Sequence, residues 1–371
     1  MNRPPPTFIL SAGRSGSTAL SLALSRRPNI LSVSELLMAL NTQAFVHKSL
    51  SGRRFWRLLS TPRKAMSDIL TPASCPKEFM YDFSRSRLFT QRTLPPILYM
   101  ALPRLTDEPD VLYFELEAAI CNRPPAPLNE QYEYLLSWLC DRFQKRTWVE
   151  RSGASLIFAP ALIRLFPNAK FIHLYRDGRD VALSMQSYPP LALLADSWRS
   201  AKRLGVDLLK QPFRLGESRL IAMADGLISP LYGADARLRK SVDLSVIGAF
   251  WSEMTLLAAR HLDDVPGRQK LSVCYEDLVG APSRTLKTIV EFIELETPSS
   301  RWLDEAAKIF RASPSRLSTL GKSELAALIE ACKPGLAALG YDLPPSERRR
   351  PYPLARVENT HAPSQARSRS L

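Results

Sequence analysis

The sequence predicts an α/β fold in which a central parallel sheet is flanked by helices. Three observations predict it. A short apolar run, Thr7-Phe8-Ile9-Leu10, leads into a glycine-containing turn and then an apolar stretch at helical spacing. The same order of strand, turn and helix returns around residues 171–186. Strand candidates elsewhere are separated by helical segments, the pattern of parallel pairing with helices on both faces.

Taken in order, residues 7–10 read as a buried first strand and 18–26 as the helix after its loop. Residues 30–33 form a second short strand. Residues 36–146 mix helical stretches, such as 130–143, with breaks at Pro95-Pro96 and Pro124-Pro125-Ala126-Pro127, and are read as a helical insertion or lid. Order returns with a strand at 147–150, a helix over 155–166, a turn at 167–170 and the strongest strand of the chain at 171–175. A helix follows at 180–186, then a mainly helical region over 191–262. A last strand at 271–275 precedes an amphipathic helix at 282–293. The chain is expected to form one domain over 1–343, with a flexible basic tail over 344–371 that holds Arg348, Arg349, Arg350, Arg356, Arg367 and Arg369.

Composition narrows the class. The 371 residues can bury a sizeable core, and 45% hydrophobic with 23% charged residues is ordinary for a globular protein. A net charge of +14 is not ordinary; it suits an acidic ligand, an anionic membrane surface or nucleic acid, or simply a solvated basic surface. No nucleic-acid motif accompanies it, so no nucleic-acid partner is expected. The five cysteines are scattered without CxxC spacing, which argues against a disulfide framework or a zinc site. No apolar run reaches membrane-spanning length and no signal-peptide pattern opens the chain, so a cytoplasmic protein is expected, with peripheral membrane contact left open.

Two motifs carry chemistry. Ser11-Ala12-Gly13-Arg14-Ser15-Gly16-Ser17-Thr18 lies between the first strand and the first helix, where unpaired amides and the positive helix end make an anion site. Gly13 and Gly16 let the backbone close around a phosphate, the hydroxyls of Ser15, Ser17 and Thr18 add donors, and Arg14 adds a forked cation. A Walker A loop would need G-x-x-x-x-G-K-[ST]; Ser17 stands where its lysine would be, which disfavours a P-loop kinase. The second motif is Arg176-Asp177-Gly178-Arg179-Asp180, with Ser184 two turns into the following helix. Arg176 at a strand end and Ser184 can converge on one phosphate; the competing reading has the aspartates as helix-start carboxylates and the arginines as solvated.

These segments resemble the two nucleotide-binding motifs of PAPS-dependent sulfotransferases. Arg14-Ser15-Gly16-Ser17-Thr18 is similar to the family's 5′-phosphosulfate loop, with Gly13 in place of the usual proline. The second motif is similar to its 3′-phosphate motif, so the resemblance assigns the 3′-phosphate contacts to Arg176 and Ser184. Tyr275-Glu276-Asp277-Leu278 resembles the late strand and helix whose tyrosine approaches the nucleotide, a buried core tyrosine being the rival reading. Arg316 falls where relatives place a coenzyme-binding loop. The resemblance therefore implies a P-loop-like sulfotransferase fold with a helical insertion. It also implies 3′-phosphoadenosine 5′-phosphosulfate (PAPS) as co-substrate, and no metal.

Transfer to a hydroxyl needs a base beside the acceptor oxygen. Animal cytosolic relatives use a histidine before the 3′-phosphate arginine, but the corresponding stretch, Glu150-Arg151-Ser152-Gly153-Ala154-Ser155, has none. Of His47, His173, His261 and His361, none has the required context. The chain resembles instead the glutamate-base branch that includes bacterial and protein-tyrosine sulfotransferases, which assigns the base to Glu35, with Glu150 in reserve; a first-turn carboxylate behind an N-cap Ser34 is the bland alternative for Glu35. Arg14 and Arg151 would then stabilise charge at the transferring group. The branch implies a small-molecule or lipid-linked hydroxyl acceptor, such as a carbohydrate or glycolipid. A non-catalytic adenosine-phosphate binding module is the alternative from another class. Residues 45–59, with Arg53, Arg54, Phe55, Trp56 and Arg57, read as an acceptor wall, a membrane-touching segment or a packed amphipathic helix.

Overall fold

The computed structural model describes residues 4–63, 79–209 and 242–341, apart from 295 and 313. The basic tail at 344–371 and His361 lie outside the described residues. The central sheet contains β1 (Thr7–Leu10), β2 (Ile30–Ser34), β3 (Thr147–Arg151), β4 (Lys170–Tyr175) and β5 (Lys270–Cys274). All five run parallel, in the spatial order β2-β3-β1-β4-β5. Each lies where the apolar pattern places a strand, because a strand covered on both faces reads as a continuous apolar run.

Alternation along the strands separates two cores. Phe8, Leu10, Trp148 and Phe171 face one side, with Phe8 stacked on Phe171 and edge-on to Trp148. Ile9, Val149, Ile172, Leu174 and Val273 face the other. That second side is covered by α1 (Ser17–Ser25), through Leu20 and Leu24, and by a later helix over Pro282–Glu294, through Leu286, Ile289, Val290 and Ile293. Arg27, just after α1, forms a buried ion pair with Glu294 and lies over the Trp302 ring, so its charge is matched by both a carboxylate and a π face.

Between β2 and β3 the chain forms α2 (Leu36–Leu40), α3 (Gly52–Ser60), α4 (Pro109–Cys121) and α5 (Leu128–Arg142). A two-residue antiparallel ladder pairs Ser49 with Pro127 and Leu50 with Ala126, which closes this segment on itself. The expected helix over 155–166 divides into a 3-10 turn (Ser155–Phe158) and α6 (Ala159–Leu165), with Pro160 in the new helix's first turn. After β4 come α7 (Gly178–Gln186), α8 (Pro189–Arg203) and the long α9 (Leu244–Asp263). After β5 come α10 (Tyr275–Gly280), α11 (Pro282–Glu294), α12 (Ser300–Ala307) and α13 (Lys322–Ala338). Among the described residues, no helix is long and apolar enough to cross a membrane.

The C-terminal helices brace the sheet's carboxyl end by close packing. Trp251 of α9 lies against Gly178 at the start of α7; a Cβ there would stand 2.3 Å from the indole. A Cβ at Gly335 of α13 would stand 2.6 Å from the same indole and 2.9 Å from the Ser252 Cα, and the Gly335 amide donates to Ser252 Oγ. Gly335→Ala should therefore force Trp251 and α9 apart and destabilise the fold by about 1–3 kcal/mol. A lowered urea midpoint at constant m-value would report it.

Candidate active site

The five strands end on one edge, and the residues just past those ends form the site. Across the sheet they read Glu35 after β2, Arg151 at the end of β3, the loop Ser11–Gly16 after β1, Arg176 after β4 and Tyr275 after β5. Four strand spacings of about 4.8 Å make this row roughly 19 Å long.

The loop after β1 is held open around its amides. Gly13 and Gly16 (both φ 83°) and Arg14 (φ 55°) take left-handed conformations. Ser15 Oγ donates to Gly13 O at 3.0 Å, and Ser155 Oγ ties the base of the loop by accepting from Ser11 N and donating to Ile9 O. Ser17 and Thr18 open α1, whose first intrahelical bond at this end is Leu20 N to Gly16 O; the preceding amides face out of the helix end. Ser17 is buried and Thr18 exposed. Gly16 also permits close approach: a Cβ there would lie 2.5 Å from the Tyr275 ring.

The second motif locks onto this loop. Arg14 Nε donates to Ser184 Oγ at 3.0 Å, and Arg14 lies over the Tyr188 ring. Arg176 stacks on the Tyr275 ring, 4.5 Å from its centroid, and lies 3.8 Å from Asp180. Its Nε has no hydrogen-bond partner among the described residues. Arg179 differs: it forms a buried, two-pronged pair with Asp177, which also caps α7 by accepting from Arg179 N. Of the motif's two arginines, Arg179 therefore holds the turn while Arg176 faces the loop. Asp177 is the helix-start carboxylate that the competing reading expected, but Arg179 is buried rather than solvated. Arg316 reaches α7 from another direction; it is exposed and donates to Leu183 O and Ser187 Oγ rather than to the phosphate loop.

On the other side of β1, Glu35 meets Arg151. Glu35 is itself the N-cap of α2, in a left-handed conformation (φ 59°), while Ser34 belongs to β2. Its amide donates to Arg151 O at 2.8 Å; its carboxylate accepts from Arg151 Nη1 and, at 2.9 Å, from Gly153 N. The Arg151 side chain is only 2% exposed and that of Glu35 13%. Arg151 Nε and Nη2 have no hydrogen-bond partner among the described residues. A buried guanidinium with two open donors is costly unless an anion completes it.

Glu150 occupies a different place. Pointing to the opposite face of β3, it is buried, accepts from Ser152 Oγ at 2.6 Å and approaches Leu37 N at 3.4 Å; Ser152 Oγ in turn accepts from Met38 N. The amides at the start of α2 are thus capped from β3, since Glu35 makes no side-chain cap of its own. Burial pushes the Glu150 carboxyl up to about 7, with the neighbouring Glu35 adding to the rise and the Ser152 and Leu37 bonds opposing it. His173, inside β4, is buried, which pushes its imidazole down to about 4.

Sequence reasoning missed Gly153, Ser155 and Tyr188. The stretch from Glu150 to Ser155 stands out in the sequence for its lack of histidine, whereas its amide and hydroxyls are what hold Glu35 and the β1 loop. Glycine and serine immediately after a strand was the available signal.

The sulfotransferase family profile matches residues 5–218, which span both motifs, and the chain belongs to that family. It is similar to the sulfotransferase domain from the curacin biosynthetic pathway, at 17% identity, covering 92% of this chain and 100% of that one, with a TM-score of 0.45. The sulfotransferase domain from the Synechococcus PCC 7002 olefin synthase is similar at 17% identity, covering 93% and 98%, with a TM-score of 0.42. A sulfotransferase from Mycobacterium avium is similar at 14% identity, covering 92% and 79%, with a TM-score of 0.40. No curated protein matches the chain significantly. The protein is a transferase of sulfuryl groups.

The raised Glu150 carboxyl sets a pH dependence. A carboxyl whose pKa rises on folding stabilises the fold fully below its unfolded value of 4.5, and that stability is lost as pH climbs through about 7. Glu150→Gln keeps an acceptor for Ser152 and Leu37 without the charge. Relative to wild type it should gain stability from pH 5 to pH 8, by up to about 3 kcal/mol. Thermal melts of both proteins across that range test the sign.

Proposed function

We propose that the protein moves the sulfuryl group of PAPS onto an acceptor hydroxyl, with Glu35 as the general base. One observation carries the reading: a buried arginine with open donors, Arg151, pairs with the Glu35 carboxylate at the end of the strand beside β1. The nucleotide's 3′-phosphate lies toward Arg176, Ser184 and Tyr275, and its 5′-phosphosulfate lies in the amides of residues 13–18. Arg14 and Arg151 then flank the sulfuryl group. In the transfer, the acceptor oxygen forms a bond to sulfur while the bond from sulfur to the 5′-phosphate oxygen breaks. The electron pair leaves with adenosine 3′,5′-bisphosphate, and the hydroxyl proton passes to Glu35. Amides and guanidinium groups already in place stabilise the departing charge without rearrangement.

Glu35 is favoured over Glu150 by position. Glu150 is buried behind α2 and holds that helix's first amides, whereas Glu35 lies at the sheet edge beside Arg151. The acceptor is proposed to be a carbohydrate, glycolipid or other lipid-linked alcohol, on the resemblance to the glutamate-base branch. Residues 36–146 are proposed to cover it, in one domain over 1–343. A cytoplasmic location, peripheral at the membrane when the acceptor is a lipid, accompanies this reading. Arg316 is proposed to join the nucleotide site only if its loop turns from α7.

Glu35→Gln should lower kcat by about 10²–10⁴-fold. Its affinity for adenosine 3′,5′-bisphosphate, measured by calorimetry in EDTA, should stay within about twofold of wild type, since the base touches the acceptor and not the nucleotide. Retained turnover in the variant would remove Glu35 from the role. Failure of the wild-type protein to bind the bisphosphate without magnesium would sink PAPS as the donor.

A further inference from the structure

An open cavity of about 370 Å³ lies beyond α2, on the chain segment that follows Glu35. Gln43, His47, Arg54, Arg57 and Arg63 line it, with Leu58 on its apolar wall, and among the described residues no acidic side chain does. Its volume lies within the range of small-ligand sites.

The frame of this cavity is well anchored. Phe45 packs on Phe158, and Tyr132 Oη donates to Ala44 O at 2.9 Å, which fixes the segment carrying Gln43 and His47. On the far side, α3 buries Phe55 and Trp56, and Trp56 Nε1 donates to Glu117. Gly52 sits close against the Ile120 carbonyl and the Arg123 backbone, so α3 has little freedom to shift. Burying that apolar face turns Arg54 and Arg57, one turn apart, toward the cavity.

Arg142, Arg146 and Arg199 each pair with a carboxylate. The side chains of Arg54 and Arg57 are exposed and form no ion pair or hydrogen bond among the described residues, and α3 contains no acid. Like charges at this spacing repel. Two guanidinium forks over a cavity that also presents an imidazole and an amide form the chemistry that grips a phosphate-class oxyanion.

We propose that this cavity binds an oxyanion carried by the acceptor, so that the substrate is an alcohol bearing a phosphate-class group rather than a neutral one. The proposal rests on the transferase reading above for the word acceptor, whereas the oxyanion site stands on its own geometry. The arrangement divides the labour: the sheet edge holds the nucleotide and the reacting hydroxyl, and α3 holds the acceptor's charge.

The test titrates phenyl phosphate into the full chain with adenosine 3′,5′-bisphosphate at saturation, so that the nucleotide loops are filled. Wild type should bind it saturably, and phenyl glucoside, its neutral counterpart, should not compete. The double variant Arg54→Glu with Arg57→Glu should weaken binding at least about tenfold, the loss of one or two charge-assisted bonds. The milder pair Arg54→Gln with Arg57→Gln should weaken it in the same direction, and both should keep the bisphosphate affinity. Wild-type affinity in both variants, or no saturable binding by wild type, overturns the proposal. So does binding to anionic phospholipid vesicles without binding to soluble phenyl phosphate, which would make this face a membrane surface. If the bisphosphate itself does not bind, the PAPS reading fails, while phenyl phosphate binding sensitive to Arg54 and Arg57 still upholds the oxyanion site.

Discussion

Everything at the site follows from five parallel strands that end on one edge. Parallel pairing aligns the strand ends, and each end releases its chain into a loop with backbone groups left to satisfy. β1 lies in the middle, between β3 and β4, so its loop has neighbours on both sides. Ser155 bonds that loop from the β3 side, and Arg176 reaches Arg14 O from the β4 side. The left-handed residues at this edge, Arg14, Glu35 and Ala154, are local strain that the surrounding sheet and helices maintain.

Charge at this edge is arranged unevenly. Some charges are paired directly, Arg179 with Asp177 and Arg27 with Glu294 farther away, although Arg179 Nη1 and Glu294 Oε1 have no hydrogen-bond partner among the described residues. Buried Arg151 and partly buried Arg176 retain open donors among the described residues, on the strands either side of β1. A guanidinium group held this way costs free energy in the empty protein and returns it when an oxyanion arrives. The ion pair between Glu35 and Arg151 offsets part of that cost and fixes the carboxylate at the carboxyl end of the sheet.

The support for this edge comes from chain segments far apart in sequence. The family profile ends at 218, yet Tyr275 lies against Gly16 and beneath Arg176, and Trp251 lies under the start of α7. Glu276 joins Tyr341 to the turn after β4, accepting from Tyr341 Oη and from Asp177 N. The two motif loops are therefore clamped by later elements: β5, α9 and α13. Loosening that clamp would disturb the loops without changing a single motif residue.

The sequence by itself determined the strands, their order along the chain and the residue types of both anion-binding loops. Apolar runs four to six residues long and glycine beside serine are local features, and local sterics and hydrogen bonding decide them. It also marked Glu35 and Arg151, though not as a pair. Only the tertiary structure decided that β3 lies between β2 and β1, because lateral strand order is a packing choice between distant segments. That choice set the end of β3, with Arg151, between Glu35 and the β1 loop. It turned Glu150 inward to cap α2, and it left Arg54 and Arg57 over a cavity with no carboxylate to answer them among the described residues.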